Sequence, residues 1–88
     1  MFARGASYIG VGDFEKAIEL DPAFARAYRS RGTTYHRQHD YDRALADFDK
    51  AIELESGAML GYYDRAISYD AKGDTGRAIA DLKQAMKA

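Results

Sequence analysis

The chain repeats itself. Tyr28, Arg31, Gly32, Tyr35, Asp40, Arg43, Ala44, Leu45, Asp47 and Ala51 recur, identical or conservatively changed, as Tyr62, Arg65, Ala66, Tyr69, Asp74, Arg77, Ala78, Ile79, Asp81 and Ala85. The offset is 34 residues throughout. A fixed period of this length restricts the fold more than any single residue does. Each period is one supersecondary unit that cannot bury its apolar face alone, so successive units must stack.

Within the period the spacing is helical. Tyr28, Gly32 and Tyr35 fall at i, i+4 and i+7, and Tyr41, Ala44, Leu45, Phe48, Ala51 and Ile52 continue the pattern. The first stripe predicts a helix entered at Asp21-Pro22, with Asp21 as N-cap and Pro22 in the first turn, and ending near Gln38-His39. Asp40 is expected to cap the second helix, whose opposite face (Asp42, Asp47, Asp49, Lys50, Glu53) should be wet. Gly32, Ala44 and Ala51 are small where two helices must approach closely. The next unit starts at Ser56 and has stripes Tyr62, Ala66, Tyr69 and then Thr75, Ala78, Ile79, Leu82, Ala85, Met86. Gly73-Asp74 is its stop and restart.

The beginning of the chain is compressed. Arg4-Gly5, Tyr8 and the run from Asp13 match the complete unit at an offset of 27, whereas Phe14 to Leu20 match Phe48 to Leu54 at 34. Seven residues are missing, so the helix from Asp13 is expected to fall about 10 Å short of its counterparts. The predicted organisation is one all-α domain over 1–88: a shortened repeat at 1–21 and full repeats at 22–55 and 56–88.

Composition narrows the function. With 88 residues, 47% apolar and 31% charged, this is a small globular chain rather than a disordered one. It has no cysteine for disulfides or thiolate metal sites, and a net charge of −1 gives no global attraction to nucleic acid or membrane. No run approaches a membrane span, and the start lacks the apolar core of a secretion signal, so a cytoplasmic location is the default expectation. His36, His39 and Asp40 have chelating spacing, but Asp40 is accounted for as a cap and His39 as a turn residue. No metal, cofactor or catalytic constellation is expected.

These residues resemble the tetratricopeptide repeat. The family alternates a large aromatic, a small residue and Tyr in its first helix. Its second helix carries a small residue, an aromatic and Ala, and a Pro follows near the end. Here those places hold Tyr28, Gly32, Tyr35, Ala44, Phe48, Ala51 and Ser56, then Tyr62, Ala66, Tyr69, Ala78, Leu82 and Ala85. Ser56 departs from the proline; Pro22 keeps it. The resemblance implies antiparallel helix pairs stacked into a short right-handed solenoid of about two and a half units. It also implies a non-catalytic protein-interaction or scaffolding role, with the first helices lining a groove for a partner peptide.

The groove positions implied are Arg26, Arg29, Ser30, Thr33, His36 and Arg37 in the complete unit. The last unit supplies Leu60, Tyr63, Asp64, Ile67 and Asp70, and the first supplies Phe2, Ala6 and Ile9. The partner-binding set is taken as Arg26, Arg29, Thr33, His36, Arg37, Leu60, Tyr63 and Ile67. A basic centre flanked by apolar residues suggests a peptide with an acidic group and apolar anchors, since the arginine fork bonds carboxylate in a bidentate way. The bland alternative is a solvated face with local pairs such as Arg37 to Asp40 or Asp42. The carboxylate clamp of chaperone-binding members is not carried over, because Phe2, Ala6, Ser30, Leu60 and Asp64 stand in its places. Two other classes are weighed. One is self-association, as a dimer or by assembly with adjacent repeats, motivated by a final amphipathic helix without a polar capping helix after it and by apolar surface that the shortened unit is expected to leave bare opposite Tyr28 and Phe48. The other, less favoured, is RNA binding by Arg26, Arg29, Arg31, Arg37 and Arg43 with Tyr28 and Tyr35.

Overall fold

Residues 11–55 and 59–87 are described by the structure, a computed structural model. They form five α-helices and, among the described residues, no strand: α1 Val11–Leu20, α2 Ala25–Arg37, α3 Tyr41–Leu54, α4 Met59–Ala71 and α5 Thr75–Lys87. Each helix packs on the next in the chain, and α2 also touches α4. That second contact sets the first-type helices α2 and α4 side by side, as stacked helix pairs require.

The turns repeat as closely as the helices do. Both α2 and α4 end in a Schellman motif, in which the second residue beyond the C-cap donates back across the turn. Asp40 N donates to Tyr35 O at 2.9 Å and Asp74 N to Tyr69 O at 2.8 Å. The motif demands a left-handed residue, supplied by His39 at φ 63° and Gly73 at φ 92°. Asp40 and Asp74 then cap the next helices, accepting from Arg43 N and Arg77 N.

The entry into α2 differs from expectation. Asp21 and Pro22 do not start the helix; they form a β-turn, with Phe24 N donating to Asp21 O at 3.0 Å and Ala23 N to Asp21 Oδ1 at 3.2 Å. Proline sets the dihedral needed at the second turn position, and Asp at the first bonds the backbone two residues on, so this turn uses both side chains at once. Helix α2 begins only at Ala25.

Asp13, from which the first described helix was expected to run, lies inside the first turn of α1. Spatially α1 follows the offset of 34, so Glu15 stands where Asp49 stands one unit later. Helix α1 is described over ten residues against fourteen in α3. The expectations placed on Phe2, Arg4, Gly5, Ala6, Tyr8, Ile9 and Ser56 lie outside the described residues.

The core lies between α2, α3 and α4, where Ala44, Phe48, Ala51 and Ala66 are buried. A Cβ on Gly32 would sit 2.6 Å from Phe48 Cε1, so the phenyl ring occupies the space that glycine leaves. One unit later the smaller Leu82 replaces Phe48, and Ala66 replaces Gly32. The close approach is kept by exchanging volume across the contact.

Candidate protein-interaction surfaces

Helix α2 points Arg29, Thr33 and His36 towards α4, and α4 answers with Asp64, Ile67 and Ser68. Arg29 Nε donates to Asp64 Oδ2 at 3.1 Å. His36 Nδ1 and the fully buried Ser68 Oγ are 2.9 Å apart, and the His36 ring meets Tyr41 edge-on at 5.1 Å. Thr33 Oγ1 donates to Arg29 O within its own helix. Thr33, His36, Asp64, Ile67 and Ser68 line a hollow of about 80 Å³ floored by Phe48.

The expected site is therefore assembled in part. Arg29, Thr33, His36 and Ile67 come together, and Ile67 is well exposed. Leu60 and Tyr63 instead line an apolar hollow of about 480 Å³ at the far end, with Met59, Leu82, Ala85 and Met86. Arg26 lines a third, against Phe14 and Phe24 beside α1. Arg37 is exposed and lines none of these hollows. The local pairs suggested for Arg37 do not form: Asp40 pairs with Arg43, and Asp42 with Lys72 just after α4.

The basic centre is also less basic than its sequence. Arg29 is paired with Asp64. Arg31 is committed to the interior: its Nε and Nη2 donate to Asp47 Oδ2 and Oδ1 at 2.8 and 2.7 Å. Its guanidinium sits 5.7 Å from the Tyr28 ring and 6.0 Å from that of Tyr35. Arg65 repeats this with Asp81, Tyr62 and Tyr69. The arginines and tyrosines that suggested an RNA-binding patch are thus largely engaged with one another.

Asp47 overturns the expectation of a wet outer face. It is 4% exposed, as is Asp81. Each accepts a two-pronged arginine bond, which makes burial of a carboxylate tolerable. The bond to Asp47 holds Arg31 above the ordinary arginine value, and that to Asp81 does the same for Arg65, in each case against the opposing effect of burial. A carboxylate of the preceding second-type helix adds to each. Glu15 acts on Arg31 through its charge, and Asp49 Oδ1 accepts from Arg65 Nη1 at 2.9 Å. Each stacking interface thus carries an ordered set of charges: acid, arginine, buried acid. Phe48 is buried at 2% exposure, while exposed apolar side chains stand at both ends of the described residues: Leu20 and Phe24 beside α1, and Met59, Leu60, Leu82 and Met86 on α4 and α5.

The histidines do not converge on a common ligand position, because His39 Nδ1 turns to Tyr41 Oη at 2.8 Å while His36 turns to Ser68. No described helix is long and apolar enough to cross a membrane.

Two family models, each described as a tetratricopeptide repeat, match residues 25–57 and 60–88. No curated protein matches the chain. Among solved structures, a crystal structure of MamA superposes with a TM-score of 0.83 at 26% identity, covering 88% of this chain and 45% of MamA. A second MamA crystal structure gives the same score and identity over 42% of its length. The chain therefore spans less than half of the structures it resembles. Matched repeats, helix order and turn chemistry agree, and the chain belongs to the tetratricopeptide repeat family.

Proposed function

We propose that this chain binds a partner segment along the groove between α2 and α4, with no chemistry of its own. Tetratricopeptide repeats are generally a non-catalytic protein-interaction fold, which supports the coarse reading. The observation that carries the finer one is the hollow under Thr33, His36, Asp64 and Ile67. It lies between two first-type helices and mixes polar and apolar walls, among them the exposed side chain of Ile67. Because Asp64 neutralises Arg29, the groove suits an apolar anchor with adjacent hydrogen-bonding groups; an acidic group would be met by Arg26 and Arg37 at its margins.

The test is selection of peptides from a random library against the chain. Selected peptides are expected to lose about tenfold or more in affinity, roughly 1.4 kcal/mol, on Ile67→Ala or Thr33→Arg. Peptides insensitive to both substitutions would reject the groove. Self-association is the alternative, and the bare apolar end of α4 and α5 is the observation that favours it. Light scattering at high micromolar concentration separates the two, since groove binding predicts a monomer.

A further inference from the structure

Arg29 and Asp64 make an ion pair unlike those buried inside the helix pairs. Arg31 with Asp47 and Arg65 with Asp81 are closed forks, in which one guanidinium takes both carboxylate oxygens. Arg29 and Asp64 share a single bond, from Nε to Oδ2 at 3.1 Å. Among the described residues, Asp64 Oδ1 accepts no hydrogen bond and the two terminal nitrogens of Arg29 donate none. None of these atoms is sealed from solvent, and the two side chains are 27% and 22% exposed.

The pair also stands outside the repeat. One period on, Arg29 becomes Tyr63; one period back, Asp64 becomes Ser30. The closed forks recur every 34 residues because every helix pair needs one. The opened fork occurs once, so the repeat architecture does not account for it.

An opened fork offers a donor and an acceptor within one neutral unit. A carboxylate placed there would meet Arg29 but face Asp64, and an ammonium would do the reverse. A primary carboxamide satisfies both, its oxygen accepting from Arg29 and its nitrogen donating to Asp64 Oδ1. Asp64 borders the hollow of about 80 Å³ shared with Thr33, His36, Ile67 and Ser68. That is small beside the roughly 300–1,000 Å³ of pockets that hold whole small molecules. It admits the head of a side chain, not a length of main chain.

We infer that the groove selects a glutamine or asparagine in its partner segment, the carboxamide bridging Arg29 and Asp64 while its stem lies on Ile67. The inference rests on the groove reading above and adds the residue type that the groove prefers.

The probes are the selected peptides whose binding depends on Ile67, which are expected to share glutamine or asparagine at one position. In fluorescence anisotropy, a glutamine peptide should bind about tenfold more tightly than the same peptide with glutamate or methionine there, both close to glutamine in size. Asp64→Ala should make glutamate the preferred residue and Arg29→Ala lysine, with circular dichroism confirming that both variants keep their helices. Methylating the backbone nitrogen at that position should leave the preference for glutamine in place. Glutamate or methionine binding the native chain as well as glutamine would overturn the inference and leave the groove standing. So would a preference that neither variant alters, or one lost on backbone methylation, which would assign the pair to main-chain capture. Peptides indifferent to both Ile67→Ala and Thr33→Arg would reject the groove itself, and this inference with it.

Discussion

At the scale of single residues, the most consequential pair is Arg31 with Asp47, repeated as Arg65 with Asp81. A carboxylate at 4% exposure without its partner would be costly, and so would the arginine left behind. Asp47→Ala is expected to lower stability by about 3 kcal/mol, a shift of roughly 15 °C in melting temperature for a domain of this size. The double change Arg31→Met with Asp47→Leu should recover most of that loss, because it removes both charges together. Calorimetry on the three proteins checks it; a double variant no better than the single one would show that the pair is more than a compensated burial. The sequence already held the sign of this arrangement. The spacing of 16 residues from Arg31 to Asp47 recurs one period later from Arg65 to Asp81. Amphipathic reasoning hid it, because an aspartate beside an apolar stripe counts as solvent-facing until a partner from another helix is placed over it. Gly32 and Phe48 were legible for the opposite reason: a small residue on an apolar stripe marks the place where a second helix comes close, whatever that helix turns out to be.

At the scale of elements, the repeat was read well where local chemistry decides and poorly where tertiary register does. The restarts at Asp40 and Asp74 follow from capping by a neighbouring side chain and were visible in sequence. The entry into α2 was not, because Asp-Pro serves equally well as a helix start or as a β-turn; the structure takes the turn. Of the proposed groove, Arg29, Thr33, His36 and Ile67 came from the family resemblance, and the structure sets them near one another between α2 and α4. Leu60 lines the hollow at the outer end of α4 and α5, and Tyr63 stands between that hollow and Ile67, an arrangement that no local pattern encodes. The two turns between first and second helices are equivalent in every bond but one residue. His39 holds a left-handed conformation that costs an L-residue about 1–2 kcal/mol, and Gly73 does not. His39→Gly should therefore raise stability by about 0.5–1 kcal/mol, the lower end reflecting loss of the bond to Tyr41 and the greater freedom of glycine when unfolded. Gly73→Ala should lower it by a similar amount. Chemical denaturation of both variants measures the pair; a loss on His39→Gly would mean that the Tyr41 contact outweighs backbone strain.

At the scale of the molecule, stability in a stacked array is a sum of unit and interface terms, so unequal interfaces give unequal parts. The α3–α4 junction carries close packing and three cross-helix polar bonds, from Arg65 to Asp49, from Lys72 to Asp42 and, by way of α2, between His36 and Ser68. The outer surface of α5 carries none of these. Lys83 of α5, one period after Asp49, gives this asymmetry a grammar. A copy of residues 25–58 inserted between 58 and 59 would meet Asp49 with its own Arg31 and hand Asp49 of the copy on to Arg65. Every junction would then read as the native ones do, and the longer protein should melt several degrees higher. Residues 54–58 followed by the same copy, appended after Lys87 so that the period of 34 is kept, would meet Lys83 with Arg31 and gain little. Melting curves of the two elongated proteins distinguish them, and equal gains would show that apolar stacking alone governs extension. One lysine thus works as punctuation: units added within this chain keep its charge order, while a like unit laid on the outer surface of α5 does not.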